Sequence, residues 1–301
     1  MKIGIIGLGN ICEKAYLPVI TAKEEVELVF CTRNKEKLDS LSKKYRINES
    51  VSSVDDLINM NIDAAFVHTA TESHVEIIEK LLNNNIHVYV DKPISYNYEE
   101  SLRICKLAKD VNKILMVGFN RRFAPMYSDL KNYGTPSVIK LEKNRVNSPK
   151  SSEVFVLDDF IHVIDTLRFL MDDDIENINV NGLKKNELIY NLVVTMTNKN
   201  TTCIAMMNRD GGANEEELEY TSCGKKIIVK NLMNSKILIN NIEENKTFKD
   251  WDSILYRRGF ESIINEFING VRLGVQPKPT IEDAIKTHKI CDEILNEIDN
   301  I

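Results

Sequence analysis

At 301 residues the chain exceeds what one hydrophobic core usually organises, so about two domains are expected. Apolar residues at 43% and charged residues at 28% exclude a largely disordered chain; 39 basic against 45 acidic residues, net −6, leave no electrostatic footprint for nucleic acid or an anionic membrane. No apolar run approaches the roughly 20 residues that span a bilayer, and MKIGIIGLGN enters a glycine-broken strand with no cleavable leader, so a cytoplasmic protein is expected.

In chain order the pattern predicts strands at Lys2–Gly7, Val26–Cys31, Ala64–His68, His87–Val90 and Ile114–Val117. Between them it predicts helices at Ile11–Thr21, Lys35–Tyr45, after Ser53, Glu72–Asn84 and Tyr98–Asp110. This alternation implies an α/β, doubly wound parallel sheet over residues 1–120, whose ligands bind beyond the carboxyl ends of the strands. Over 121–301 the texture changes to an α+β domain. Helices at Ala124–Asn132 and Asp158–Met171 bracket a strand at Ser137–Arg145. Strands then follow at Ile175–Val180, Ile189–Thr197, Thr202–Asn208, Glu217–Ser222, Lys226–Lys230, Lys236–Ile239 and Lys246–Lys249. Turn cues at Asn181-Gly182, Asn198–Asn200, Asp210–Gly212 and Cys223-Gly224 join consecutive strands and make this sheet antiparallel. Helices at Tyr256–Asn269 and Ile281–Ile298 close the chain. The six cysteines form no CxxC and stand at no ligand spacing from a histidine, so no metal site is expected.

Gly7-Leu-Gly9-Asn10-Ile11-Cys12 closes the first strand and opens the first helix. Gly7 serves a tight turn, Gly9 permits close backbone approach, and the helix N-terminus at Asn10 and Ile11 presents amides to a pyrophosphate. Cys12 stands where such a fingerprint has its third glycine, and a purely structural turn is the competing reading. A cofactor without a 2′-phosphate needs a carboxylate at the end of the second strand. Here the segment reads Cys31-Thr32-Arg33-Asn34, so Thr32 and Arg33 favour NADP over NAD, although Arg33 also suits the solvated start of a helix. Thr69, Ala70 and Thr71 lie where the diphosphate and ribose would cross, with His74 capping or packing the helix behind them. Asp91-Lys92-Pro93 follows a strand at the ligand edge, so Lys92 can point its ammonium into the crevice, and the proline suits a cis bond.

GIIGLGN, Asp91-Lys92-Pro93 and Gly118-Phe-Asn-Arg-Arg-Phe123, at this spacing and over nearly the whole chain, resemble the Gfo/Idh/MocA oxidoreductase family, within it the MviM-like dehydrogenase branch. Asp250-Trp251 before a helix also fits that branch. The resemblance implies a Rossmann domain followed by a domain with an open, mostly antiparallel sheet that builds homodimers or homotetramers. It also implies hydride transfer between NAD(P) and a secondary alcohol or ketone of a sugar-like or polyol substrate. It makes Lys92, His162 and Asp158 catalytic, the last two through Asp158-x-x-x-His162, and brings Asp91, Asn120 and Arg121 to the cofactor. The family's E-K-P is D-K-P here, and Phe160 replaces a glycine, which would narrow the pocket. Helical spacing puts Asp158, His162 and Asp165 on one face beside a buried stripe of Ile161, Ile164, Leu167 and Met171. The competing reading makes Asp158 a cap, His162 a core histidine and Asp165 a partner of Arg168. Tyr16, Tyr127, Lys143 and Arg145 are further pocket candidates that the sequence does not place, and an ion pair is the alternative for Arg122. Two other functions stay open on this scaffold: a dinucleotide-sensing regulator without turnover, and a reductase of a linear tetrapyrrole or imine.

Overall fold

The computed structural model describes residues 1–171 and 174–298, which form two compact units. The first holds Met1–Gly118 with Phe260–Lys286, and the second Phe119–Gly259 with the chain from Thr287. The division therefore differs from a cut at residue 120, because the helix Phe260–Leu273 returns to the first unit. Its Phe267 ring meets Phe66 at 5.0 Å and Tyr89 at 5.6 Å, and Phe260 meets Tyr16 at 5.4 Å. Aromatic burial of this kind outweighs sequence separation.

In the first unit, β1 (Lys2–Ile6), β2 (Glu27–Cys31), β3 (Glu49–Val51), β4 (Ala64–Val67), β5 (His87–Val90) and β6 (Leu115–Val117) form one parallel sheet in the order β3-β2-β1-β4-β5-β6. The central strands are apolar on both faces, with Ile3, Ile5, Val29, Phe30, Phe66, Val67, Val88 and Val90 buried, as a sheet covered on both sides requires. The short edge strand β3 carries no apolar signal beyond Val51 and was not expected. The order reverses between β1 and β4, so the ligand crevice opens where Gly7 and His68 follow those strands.

In the second unit, β7 (Pro136–Asn144), β8 (Asn177–Lys185), β9 (Leu188–Thr197), β10 (Thr202–Asn208), β11 (Glu215–Ser222), β12 (Lys225–Lys230), β13 (Asn234–Ile239) and β14 (Ile242–Thr247) make an eight-stranded sheet in the order β14-β13-β12-β11-β7-β10-β9-β8. Only β7 and β10 pair in parallel. The helix Ile161–Met171 packs on β7 and β10, and its stripe of Ile161, Ile164, Leu167 and Met171 is buried as expected.

Three local readings are corrected. Asn181-Gly182 is no turn: it lies inside β8, where a Cβ on Gly182 would come within 2.6 Å of the Asn191 carbonyl oxygen, and the chain reverses instead at Asn186 and Glu187, both at positive φ. The helix read as Tyr256–Asn269 is broken at Gly259 (φ 79°), where a Cβ would lie 2.2 Å from the Asn120 carbonyl oxygen. The helix expected at Ile11–Thr21 contains a π turn, Cys12–Tyr16, in which the Leu17 amide reaches the Cys12 carbonyl. Pro18 follows immediately and offers no amide to regular pairing. Among the described residues no helix is long and apolar enough to cross a membrane.

Candidate active site

The ligand edge of the parallel sheet is built on close backbone packing. Gly7 has φ 84°, and a Cβ there would lie 2.8 Å from the His68 carbonyl carbon and the Thr69 nitrogen. Only glycine lets the turn after β1 press against the segment after β4. Gly9 leaves its Cβ direction open, the nearest atom being the His68 oxygen at 3.8 Å, while Asn10 and Ile11 begin the helix exposed. The first-turn amides there precede any intrahelical acceptor and can serve an anion. Thr69 Oγ1 is buried with no hydrogen-bond partner among the described residues. A buried hydroxyl at this edge is costly unless a ligand engages it, so the cradle fits a dinucleotide. Ala70 and Thr71 continue the rim at the surface, Thr32 is half-buried, and Arg33 is exposed with no carboxylate between Cys31 and Asn34.

His74 packs behind the rim, the position that the capping or packing reading gives it. It is buried, with Nδ1 2.9 Å from the Pro93 carbonyl and Nε2 3.1 Å from the Thr69 carbonyl, and burial pulls its pKa below the usual histidine value. It ties the rim after β4 to the Lys92-Pro93 segment, whose peptide bond is cis.

Asp91 is likewise engaged within the protein rather than free for the cofactor. Its Oδ1 accepts from the Tyr16 hydroxyl at 2.7 Å, and its Oδ2 lies 2.9 Å from Nδ1 of His68. Tyr16 also bonds the Tyr89 hydroxyl at 2.9 Å and stacks on His68 at 4.0 Å. Burial pushes the Asp91 pKa up, but the His68 charge and the hydrogen bonds from His68 and Tyr16 outweigh it and hold the carboxyl below its usual range. Gly118 makes room for this cluster, since a Cβ there would stand 2.8 Å from the Tyr89 hydroxyl. The shorter acid thus has a defined role beside Lys92: it is the anchored residue of the segment that carries the ammonium.

The second unit places its titratable groups differently from the helical-face expectation. Asp158 lies in a π turn, Val156–Phe160, and His162 begins the α-helix beyond it; both are half-buried. The widened turn means that 3.6-residue spacing does not carry across the two. Asp165 does not flank the histidine in solvent: it is 1% exposed and takes a bidentate grip from Arg122 at 2.8 and 2.6 Å, with the Thr287 hydroxyl at 2.8 Å. Arg168 donates to that same hydroxyl. Phe160 is fully buried against Phe155, so it fills core rather than narrowing a pocket.

Asn120 and Arg121, expected at the cofactor, also have partners within this unit. Asn120 donates to the Arg258 carbonyl at 2.8 Å, and Arg121 forks onto Glu216 at 2.9 and 2.8 Å, joined by the Tyr127 hydroxyl at 3.0 Å. Beside them stand two of the pocket candidates, Lys143 and Arg145, around a carboxylate that sequence reasoning missed: Asp159 pairs with Lys143, with Arg145 at 3.1 Å and with Arg209 at 3.8 Å. Burial lowers the Lys143 pKa to about 7, helped by Arg121 and Arg145 and opposed by Asp159 and Glu216. Burial raises Asp159, but Lys143, Arg145 and Arg209 pull it far below its usual range. The available signal was strand parity: Lys143 shares its parity with Ile139 and Leu141, and Glu216 with Leu218 and Tyr220, which puts both charges on the covered face.

Comparison with known proteins accords with this architecture. Residues 1–119 match the family model described as "Oxidoreductase family, NAD-binding Rossmann fold", and residues 125–240 match "YceM-like, C-terminal domain". The Salmonella typhimurium oxidoreductase designated YceM is 32% identical over 98% of this chain and 97% of its own. The crystal structure of a dehydrogenase (MviM) from Clostridium difficile superposes with a TM-score of 0.95 at 36% identity, covering 99% of both chains. A myo-inositol 2-dehydrogenase from Thermotoga maritima is 22% identical over 94% of this chain and 92% of its own.

Proposed function

The chain belongs to the Gfo/Idh/MocA oxidoreductase family, and from that membership we propose an NADP-preferring dehydrogenase or reductase acting on a secondary alcohol or its ketone in a sugar-like or polyol substrate. The observation that carries this reading is Lys92 held next to an anchored Asp91 on the same sheet edge as the Gly7 turn and the buried Thr69 hydroxyl. Gly7, Gly9, Asn10, Ile11, Thr69, Ala70 and Thr71 hold the diphosphate, and Thr32 with Arg33 engages the 2′-phosphate. Bound nicotinamide would supply the hydride acceptor or donor. His162 takes the proton from the substrate hydroxyl at a ring nitrogen, Lys92 donates a hydrogen bond to the same oxygen as negative charge develops there, and Asp158 orients His162. The substrate class is supported by the family and by relatives that include an inositol dehydrogenase. The protein acts in the cytoplasm, where its free thiols stay reduced, as a homodimer or homotetramer joined through the eight-stranded sheet.

The test is cofactor turnover by the purified protein over a panel of polyols, sugars and keto-sugars, with Lys92→Ala and His162→Ala alongside. Loss of about 100-fold or more in kcat in both variants, with cofactor affinity retained, is expected. Full turnover in either variant overturns the roles, and cofactor binding without turnover on any substrate indicates the dinucleotide-sensing regulator.

A further inference from the structure

Two histidines of the segment after β4 hold the residues on either side of Lys92. The pairing of β4 with β5 extends to the Asp91 amide, which donates to the Val67 carbonyl at 3.0 Å. Beyond that bond, side chains reach across. Nδ1 of His68 lies 2.9 Å from Oδ2 of Asp91, and Nδ1 of His74 lies 2.9 Å from the Pro93 carbonyl oxygen. Lys92 stands half-buried between these two fixed points. The other ring nitrogen of His74 lies 3.1 Å from the carbonyl of Thr69, the residue whose buried hydroxyl has no partner among the described residues. One ring thus spans from the backbone of the dinucleotide cradle to the backbone that follows Lys92. His74 is 1% exposed, so its bonds form away from water, where losing one is costly. Burial also lowers the pKa of this ring and keeps it neutral at pH 7, and a neutral imidazole carries one N–H. Two carbonyls therefore compete for a single donor: Nδ1–H serves Pro93, and Nε2–H serves Thr69. A ring with two discrete arrangements, each favouring one neighbour, is a physical link between the two segments.

We propose that His74 couples the dinucleotide cradle to Lys92: when a ligand engages Thr69, the N–H of His74 is redistributed between the Thr69 and Pro93 carbonyls, and the Lys92 ammonium is set in place. His74 is a positioning residue that acts through its two carbonyl neighbours, while His68 fixes the other flank through Asp91. The coupling rests on the dinucleotide-binding part of the proposed function; neither His162 nor hydride transfer enters it. It regulates the site from its phosphate side, because the position of the ammonium then depends on an occupied cradle.

The probes are ADP-ribose and its 2′-phosphate, which bring the diphosphate to the cradle but no pyridine ring that could shield Lys92 directly. The full chain is acetylated with and without saturating probe, and the Lys92 rate is read by peptide mass spectrometry against the exposed Lys199. Occupation of the cradle is expected to slow Lys92 labelling about fivefold or more relative to Lys199. Two variants divide the bonds of the ring: His74→Asn keeps a donor at the Nδ1 position toward Pro93, and His74→Gln keeps one at the Nε2 position toward Thr69. In each, calorimetry should show the probe still bound while Lys92 labelling no longer responds to it. If urea unfolding shows that neither variant folds, Thr69→Val takes their place, removing only the hydroxyl offered to the ligand. Bound probe without the Lys92 response is expected there too. Bound probe with no response in the unaltered protein, or a response that survives in a folded variant, overturns the proposal. Turnover measured separately keeps the two readings distinct. Binding without the Lys92 response sinks this inference alone, a His74-dependent response without turnover sinks the dehydrogenase alone, and no probe binding sinks the cradle and the coupling together.

Discussion

Nδ1 of His68 lies 2.9 Å from Oδ2 of Asp91, one residue before Lys92, and the Tyr16 hydroxyl holds the other carboxylate oxygen at 2.7 Å. The segment that bears the proposed electrophilic ammonium is therefore anchored from behind by a histidine and a tyrosine, both buried. Neither lies in a motif that marks the family.

Replacing His68 by phenylalanine keeps the ring packing and removes the bond. The expected loss is about 1–3 kcal/mol of stability, read from urea unfolding at pH 7. The Asp91 pKa is depressed in the fold, so its contribution is complete above the unfolded carboxylate value of about 4 and is lost as pH falls through the lower folded value. His68→Phe should accordingly flatten the acid limb; an unchanged midpoint at pH 7 would contradict the anchoring role.

Glu216 offers a second acid-side test. Burial raises its pKa, yet Arg121, Lys143 and the Tyr127 hydroxyl outweigh that and bring it to about 2. An unfolded glutamate titrates near 4.3, so stability from this group is present above about pH 4 and disappears between there and about 2, amounting to about 3 kcal/mol. In Glu216→Gln that part of the pH profile should vanish from denaturation curves collected between pH 2 and 6.

Asp159 is the common counterion of Lys143, Arg145 and Arg209, so Asp159→Asn leaves enclosed cations uncompensated. A cost of about 3–5 kcal/mol is expected. Adding Lys143→Met should recover part of it, because the most deeply buried group that Asp159 satisfies then disappears. A double variant no more stable than the single one, by thermal or urea unfolding, would show that Lys143 is not the source of the cost.

Cofactor choice rests on Thr32 and Arg33. Arg33 is exposed and has no acidic neighbour between Cys31 and Asn34, so its replacement by alanine should leave stability unchanged and weaken NADP by about 10- to 100-fold, with NAD little affected. Fluorescence titration with both reduced cofactors measures this, and equal losses for the two would refute a 2′-phosphate contact.

Much of the architecture was legible because its causes are local. β-branched runs alternating with amphipathic segments specify the parallel sheet, the glycine turn follows β1 where expected, and polar turn residues separate the antiparallel strands. Asn181-Gly182 misled because a glycine demanded by close strand approach has the same composition as one demanded by a turn. The Asp158–His162–Asp165 face misled because a π turn changes the rotation per residue, and because Asp165 found Arg122, 43 positions away.

By itself the chain of residues determined the fold class, the nucleotide-binding edge and the position of Lys92 after a central strand, since each follows from periodicity and short-range backbone geometry. Only the tertiary structure decided which charges are buried together: His68 with Asp91, Arg122 with Asp165, and Lys143, Arg145 and Arg209 with Asp159. Coulombic pairing depends on distance in space and on exclusion of water, and neither is encoded in the spacing of residues along the chain.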